Sequence, residues 1–504
     1  MIKVKLTPLR VVTCILLVCI AFSAASAAKI NLKDPIRLAD DQSLKAVYYF
    51  PHWWDPWKSD DAVVTADLKK MKEIGFNTVC LDHEVSQAVD RDFFWLDREY
   101  KLAGQEKMCV LPWLQLQAVD RDALMKFSHL TLQPAVNQDK QSDEDCIIYG
   151  DPEFKKALIH YVSVYLDRYA EDPALLRIKD GKKLRPVVGL MLETGWRSTN
   201  GLPLSFDETT NAYFRKWMKA LYYDIKQLNK KWGTSFKNFD EIDPCDKAIF
   251  NYAFTDRANP PMAVSEHVIF RARVIKECLQ DVAREIRKKH KDILFVAEVA
   301  YPFESADPSA EVYRWNNAND AIAVDFADIV FVRTLGGPVV KPVLKDGGLL
   351  KTDTKRVILA YRLFDNAEAP AAVNLALDCA INSNGFAYYN WNEKADQTSA
   401  IYDKPERQSL VKIMTGAYDV FSDFEKTRET VPVVPAIRTP APAPTVPVQP
   451  VSETAPVTVP APVQETAPPS PTPDQGAAAP APVPEQGATP PTPVEPPIPV
   501  EPAK

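Results

Sequence analysis

Glycine and histidine are scarce in this chain of 504 residues, which contains 16 glycines and six histidines. Phosphate-binding loops need closely spaced glycines, and no such loop follows any predicted strand. The sequence also lacks an HExxH pattern and a serine-centred nucleophile elbow, so we expect neither a metal nor a cofactor. The net charge of -7 and the lack of a basic stripe argue against nucleic acid as a partner.

Cysteine is sparse and poorly placed for cross-linking. Two of the eight cysteines lie in the first 28 residues, and the other six are scattered without a CxxC pair. This pattern argues against a zinc site and against a disulfide-rich scaffold. Cys80 and Cys109 could approach each other on neighbouring strands, but both lie in apolar runs, so we expect buried free thiols.

The first 28 residues have the pattern of a secretory signal peptide. Basic residues precede an apolar run over residues 11–22, and Ala25-Ser26-Ala27 provides a small-residue cleavage site. A lipoprotein signal centred on Cys19 is the alternative, but Val18 precedes it where a small residue is usual. We therefore expect a secreted or periplasmic protein with no transmembrane segment in the mature chain.

Residues 431–504 form a proline-rich tail with 24 of the 43 prolines and no aromatic residue. Such a segment cannot bury enough apolar surface to offset its chain entropy, so we expect it to be disordered and semi-rigid. Contact with the envelope or with a partner is one role for it, and passive solubilisation is the other.

Residues 29–430 alternate between short apolar runs and segments of helical periodicity. The eight predicted strands are residues 46–50, 78–81, 109–114, 187–192, 293–297, 329–332, 357–361 and 386–391. The predicted helices are residues 66–74, 92–103, 153–169, 209–228, 264–290 and 371–381. This alternation predicts an α/β fold, a (β/α)8 TIM barrel, with a doubly wound open sheet as the alternative. Residues 116–151 and 197–261 are long loops after strands three and four, suited to form lids.

Aromatic rings, amides and carboxylates concentrate at the carboxyl ends of these strands. Aromatic faces stack on the C–H faces of pyranoses and polar groups bond the hydroxyls, so the pattern favours a carbohydrate substrate. The candidate substrate-binding residues are Trp53, Trp54, Trp57, Asp82, Trp113, Trp196, Tyr301, Arg362, Asn390 and Trp391. The tryptophans are equally suited to core packing. His52 and His83 are candidates for ligands or substrate contacts, but ordinary hydrogen bonds are the favoured interpretation.

Four acidic residues are candidates for catalysis. Glu193 ends the fourth predicted strand, at the edge where a (β/α)8 barrel carries its chemistry. Glycoside hydrolysis needs a second carboxylate across the scissile bond, and the candidates are Glu298, Asp365 and Glu393.

Residues 221–236 read LYYDIKQLNKKWGTSF and are followed by FDEI at residues 239–242. This stretch resembles the segment after the fourth strand in family 42 glycoside hydrolases, the β-galactosidase-like barrels of clan A. The similarity is strong over these residues and extends loosely, through the strand order, over residues 44–392. The resemblance implies that Glu193 is the proton donor and that a glutamate ending strand seven is the nucleophile.

Two positions depart from the family pattern. Leu192 stands where the family has an asparagine, and residues 359–362 read LAYR, without a glutamate. Another group among Asp365, Glu298 and Glu393 therefore supplies the second carboxylate, or the barrel does not use retaining chemistry.

Three functions are compatible with these features. The first is a secreted glycoside hydrolase that cleaves O-glycosidic bonds in an oligosaccharide or polysaccharide. The second is a non-catalytic carbohydrate-binding or structural envelope protein on a degenerate hydrolase barrel, which the missing strand-seven glutamate favours. The third is a barrel enzyme of another class, such as a lyase, which the lack of a metal or phosphate motif disfavours.

Overall fold

A computed structural model of the protein describes residues 32–89, 92–115, 121–191, 204–252, 261–301, 326–334, 356–363, 367–392 and 400–423. The chain divides into two units, Met1–Val433 and Val434–Lys504, and every described residue belongs to the first. The predicted signal peptide and proline-rich tail lie outside the described residues and stay predictions. Within the described residues, no helix is long and apolar enough to cross a membrane.

The strands of the described residues are β1 (Lys45–Tyr49), β2 (Thr78–His83), β3 (Cys109–Gln115), β4 (Pro134–Val136), β5 (Ser142–Ile147), β6 (Arg177–Asp180), β7 (Lys183–Met191), β8 (Leu294–Tyr301), β9 (Ile329–Thr334), β10 (Arg356–Tyr361) and β11 (Phe386–Tyr388). Eight of them lie parallel in the order β3-β2-β1-β11-β10-β9-β8-β7, and pairing of β7 with β3 closes the ring. All eight predicted strands are present, and the predicted (β/α)8 barrel is confirmed.

The barrel strands are apolar along their length because both of their faces are covered. Tyr48, Cys80, Leu111 and Phe331 belong to a buried cluster inside the barrel. The alternate residues of each strand, such as Val47, pack outward in a second cluster with the surrounding helices. Two covered faces explain why the strands appear in the sequence as continuous apolar runs.

The helices of the described residues are α1 (Asp61–Ile74), α2 (Val85–Val89), α3 (Phe94–Gln105), α4 (Arg121–Ser128), α5 (Pro152–Tyr169), α6 (Glu208–Tyr222), α7 (Ile225–Trp232), α8 (Met262–Lys289), α9 (Ala369–Asn382) and α10 (Pro405–Ser422), with a 3-10 turn at Phe239–Glu241. Five of the six predicted helices are confirmed. The single helix predicted over residues 209–228 is wrong, because the chain breaks between α6 and α7. Tyr223 adopts a φ of 56°, and the Asp224 carboxylate accepts a hydrogen bond from the backbone N–H of Lys226 to begin α7.

The long connections after the third and fourth barrel strands contain secondary structure of their own. The first holds α4 and the antiparallel hairpin of β4 and β5, and the second holds α6, α7 and the 3-10 turn. Residues 116–120 and 192–203, which begin these two connections, lie outside the described residues.

The six cysteines of the described residues are free thiols. Cys80 is buried inside the barrel, as predicted, and burial raises the pKa of its thiol well above the ordinary value. Cys109 is only partly buried, because it begins β3 at the amino-terminal rim of the barrel.

Candidate active site at the carboxyl end of the barrel

A carboxylate lies inside the barrel near the carboxyl end of β8. Glu298 is 1% exposed, and the phenolic O–H of Tyr48 on β1 donates to its Oε1 atom over 2.7 Å. Four steps around the ring separate β1 from β8 in either direction, so the hydrogen bond crosses the barrel interior. The barrel therefore holds a fixed acidic group at the end where such folds carry their chemistry.

The Trp113 indole forms the wall beside this pair. Its ring stacks on Tyr48 with centroids 6.3 Å apart and 8° between the planes. The ring fits because Gly189 faces it from β7: a Cβ at Gly189 would lie 2.3 Å from the Trp113 side chain. A glycine in a strand interior often marks such a close approach, and here it makes room for an aromatic wall.

Two further polar side chains lie on the inner faces of β2 and β3. Asp82 shares the face of Cys80, and Gln115 shares the face of Trp113, because side chains alternate along a strand. Both are buried. Arg362 follows β10 and is partly buried. Glu298, Asp82 and Gln115 thus all lie on inner faces toward the carboxyl ends of their strands.

A path of aromatic rings leads from this interior to the rim. Tyr48 contacts Tyr389 edge-on at 5.1 Å between centroids, and Phe50 contacts Tyr389 at 6.4 Å. Phe50 in turn contacts Trp53 at 5.5 Å and Trp54 at 6.2 Å. The side chain of Asn392 fixes the backbone of Phe50 through two hydrogen bonds, of 2.9 and 3.2 Å.

Trp53 and Trp54 belong to a pocket of about 430 Å³ above β1 and β2, called the rim pocket here. Its lining residues are His52, Trp53, Trp54, Lys58, Glu84, Ser86, Gln87 and Trp95. All of them lie after β1 or β2, on the loops and helices that follow those strands. The rim pocket therefore opens on the same edge of the barrel as Glu298.

A buried network supports the rim pocket from below. Glu99 on α3 lies 2.9 Å from Nδ1 of His52 and 2.9 Å from Nε2 of His83. Burial alone would raise the pKa of Glu99, but the two histidines outweigh it and lower that pKa to about 2. His83 Nδ1 lies 2.7 Å from the hydroxyl of Tyr165, and burial lowers the pKa of His83. The carboxylate is thus ionised, and both imidazoles donate to it.

The structure places the other candidate residues in different surroundings. Trp57 is 3% exposed and donates to Asp67 over 2.6 Å, so it packs against α1 outside the barrel. Trp391 lies in the same outer cluster, and Asn390 is buried. Glu193, Trp196, Asp365 and Glu393 lie outside the described residues, and of Tyr301 only the backbone is described.

Sequence reasoning missed Tyr48 and Glu99. Tyr48 is one of two adjacent tyrosines in β1, and alternation alone does not tell which one faces inward. Glu99 looks like an ordinary helical residue, and its partners come from the loop after β1 and from the end of β2. Among the described residues, no group of three or more histidine, cysteine or acidic side chains is arranged to hold a metal.

The WGT stretch has a structural role in the layer outside the barrel. Glu266 on α8 accepts hydrogen bonds from Trp232 Nε1 at 3.0 Å, Lys231 Nζ at 3.0 Å and the Tyr222 hydroxyl at 2.5 Å. Asn229 closes the turn after α7 by bonding Thr234 and Phe236. These hydrogen bonds link α6 and α7, in the connection after the fourth barrel strand, to α8.

Comparisons with known proteins agree with this architecture. The family model of glycoside hydrolase family 42, described as β-galactosidase, matches residues 194–327. The β-galactosidase BgaH of Haloferax lucentense is 24% identical over 224 residues, which cover 39% of this chain and 29% of that protein. The match thus spans less than a third of that relative.

Solved structures share the fold. The catalytic domain of β-amylase from Paenibacillus polymyxa superposes with a TM-score of 0.53 at 11% identity, covering 74% of this chain and 98% of that one. A β-galactosidase from Halorubrum lacusprofundi superposes with a TM-score of 0.50 at 17% identity, covering 75% of this chain and 58% of that one. The chain therefore has the (β/α)8 fold of these structures, and residues 194–327 are similar to family 42.

Proposed function

We propose that the protein is a glycoside hydrolase that cleaves O-glycosidic bonds in an oligosaccharide or polysaccharide. The observation that carries the proposal is Glu298, a carboxylate inside the barrel that Tyr48 holds by a 2.7 Å hydrogen bond. The similarity to family 42 supports the same reaction class. The rings of Trp53 and Trp54 at the rim add surfaces on which sugars stack.

The reaction needs one carboxylic acid to protonate the leaving oxygen and one carboxylate on the other side of the sugar. We assign the first role to Glu193, which follows β7 by two residues, and the second to Glu298. Asp365 and Glu393 were the other candidates for the second role. Glu298 is favoured because it is buried, hydrogen-bonded and on the inner face of β8.

β-Galactosides are the first substrates to test, because the family model and BgaH carry the name β-galactosidase. We propose that the reaction takes place outside the cytoplasm, since the first 28 residues have the pattern of a signal peptide. An extracellular location suits a polymeric substrate, which does not enter the cell intact.

The test is turnover by the purified full chain on aryl glycosides and on polysaccharides, beside Glu193→Gln. We expect the variant to lose roughly a hundredfold to ten-thousandfold in kcat on natural linkages. The loss should be smaller on aryl glycosides with acidic leaving groups, because these need little protonation. Equal turnover by the variant would remove Glu193 from the mechanism. No turnover on any substrate would favour a binding protein on a hydrolase barrel.

A further inference from the structure

Residues 50–60 connect β1 to α1 and are called the tryptophan loop here. They carry Trp53 and Trp54, which line the rim pocket, and Trp53 is 38% exposed. The loop itself contains turns and neither helix nor strand. A ring that stacks on a sugar needs a fixed plane, and in a loop that plane depends on the contacts of the neighbouring residues.

One end of the tryptophan loop is held by Glu99 on α3. Glu99 is 3% exposed, and its carboxylate accepts hydrogen bonds from His52 Nδ1 and from His83 Nε2, each over 2.9 Å. His83 is fully buried at the end of the barrel strand β2. His52, the residue before Trp53, is therefore joined to the barrel through a single carboxylate.

The other end of the tryptophan loop is held by Arg98, the residue next to Glu99. Its Nη2 atom donates to the backbone carbonyl of Trp57 over 2.8 Å, and its Nε atom donates to Asp61 at the start of α1 over 2.6 Å. Arg98 is 9% exposed. The planar guanidinium thus fixes both the end of the loop and the helix that follows it. Both rim tryptophans lie between the two points that α3 holds.

The same helix forms part of the wall of the rim pocket. Trp95 lies one turn before Arg98 and Glu99 on α3, and it lines the pocket. The helix is itself fixed on α5, because the Tyr100 ring stacks on Tyr169 with the centroids 4.3 Å apart. The bonds made by Arg98 and Glu99 therefore set the position of the tryptophan loop relative to the ring of Trp95.

We propose that Arg98 and Glu99 are positioning residues for the binding of a saccharide at the rim pocket. The inference rests on the proposed function, in which Trp53 and Trp54 stack on the sugar. Arg98 and Glu99 are not among the residues that line the pocket, so they act on the ligand through the tryptophan loop. A loop that is ordered before binding loses less conformational freedom when the ligand arrives. Removing either contact should therefore weaken binding and leave the reacting carboxylate, Glu298 on β8, unchanged.

The experiment compares variants of the two residues by isothermal titration calorimetry with β-1,4-galactotetraose, cellotetraose and mannotetraose. All titrations use the full chain with Glu298→Gln, which prevents hydrolysis. Glu99→Gln removes the charge that both imidazoles bond. Arg98→Lys keeps the charge but lacks the planar fork that holds the loop and α1 together. Trp232→Phe is the matched control, because it loses a buried hydrogen bond outside the rim pocket.

We expect at least one of the tetrasaccharides to bind with millimolar or better affinity, and Glu99→Gln and Arg98→Lys each to weaken that binding roughly tenfold. Trp232→Phe should leave the affinity unchanged despite its lower stability. Arg98→Lys keeps the test decisive if Glu99→Gln does not fold. When Trp53→Ala is also present, the two variants should weaken binding by roughly threefold at most, because they act through that ring.

The proposal is overturned if no tetrasaccharide binds, if both variants bind like the reference protein, or if their full effect persists without the Trp53 ring. It is also overturned if Trp232→Phe weakens binding equally, since the effect would then follow stability. With Glu298 intact, the two variants should raise KM and leave kcat unchanged, which a loss of folded protein alone does not produce. Failure of the proposed function shows separately, as binding by the wild-type chain without turnover on any substrate.

Discussion

The hydroxyl of Tyr48 and the carboxylate of Glu298 meet across the barrel, at 2.7 Å, from strands on opposite sides of the ring. Neither side chain is near the other in sequence, and both are almost completely buried. The bond fixes the position of the carboxyl group to which the proposed reaction assigns a role. Its removal should therefore affect both stability and turnover.

Replacing Tyr48 by Phe keeps the ring that stacks on Trp113 and removes the hydrogen bond to Glu298. We expect a loss of about 1–2 kcal/mol in the free energy of unfolding, as for the removal of one partner of a buried hydrogen bond. We also expect lower kcat, because the carboxylate is no longer held in place. Urea unfolding and turnover on the best substrate measure the two effects.

Tyr361→Phe is the matched control for that variant. Tyr361 donates to Asp378 over 2.9 Å on the outer side of the barrel, so its loss should destabilise without changing kcat. If both phenylalanine variants kept full kcat, the Tyr48 bond would be structural only.

Replacing Gly189 by Ala should displace the Trp113 ring. The new Cβ would lie 2.3 Å from that ring, and overpacking of this kind costs roughly 1–3 kcal/mol. Because Trp113 stacks on Tyr48, we expect the near-UV circular dichroism of the aromatic residues to change along with the melting temperature. Gly416→Ala on α10 is the comparison, since a Cβ there meets nothing within 4 Å and the backbone is helical. An unaltered spectrum in Gly189→Ala would contradict the packing of Trp113 against β7.

Stability should depend on pH through Glu99 and His83. Burial lowers the pKa of His83 below its ordinary value of 6.5, so the unfolded chain binds the proton more readily. The free energy of unfolding should therefore decrease as the pH falls below that value. Glu99 has a pKa of about 2 against an ordinary 4.5, so its contribution is complete above pH 4.5 and is lost as the pH falls toward 2.

The variant Glu99→Gln isolates the second effect. At neutral pH it should be less stable than the wild type by about 3 kcal/mol, because two buried imidazoles lose their ionised partner. The difference between the two proteins should shrink as the pH falls from 4.5 toward 2, in urea unfolding at matched ionic strength. A difference that stays constant over this interval would argue against an ionised Glu99.

Replacing Trp232 by Phe tests the structural role of the WGT stretch. The variant loses the 3.0 Å bond to the buried carboxylate of Glu266 while it keeps an aromatic ring. We expect a loss of about 2 kcal/mol in unfolding free energy and an unchanged kcat/KM. A large loss of kcat with unchanged stability would instead assign this segment to the reaction.

The barrel could be predicted because its strands are covered on both faces. That burial forces runs such as residues 187–191 to be apolar, and the runs stand out from the helices between them. The break between α6 and α7 at Tyr223 and Asp224 could not be predicted from the sequence, because charged and apolar residues continue through it with helical spacing. Local capping by Asp224 decided that boundary.

Only part of the candidate site could be predicted, because some of its contacts join residues that belong to different elements of the fold. Residues at strand ends, such as Glu298 and Asp82, follow from the topology, because parallel strands present their carboxyl ends at one edge. The pairing of Glu99 with His52 and His83 joins a helix to the loop after β1 and to the end of β2, and no sequence spacing indicates it. The tryptophans lie in different surroundings for the same reason. Trp53 lies at the rim, whereas Trp57 donates a hydrogen bond to Asp67 in the outer core.

The turnover of Glu298→Gln shows most directly whether Glu298 takes part in the reaction, with Glu266→Gln as the control at a second buried glutamate, outside the barrel. If Glu298 is the second carboxylate, kcat should fall by roughly a hundredfold or more while the melting temperature shows that the protein is folded. Glu266→Gln should lower stability and keep kcat within a factor of about two. A folded Glu298→Gln that turns over substrate at the wild-type rate would exclude Glu298 as the second carboxylate.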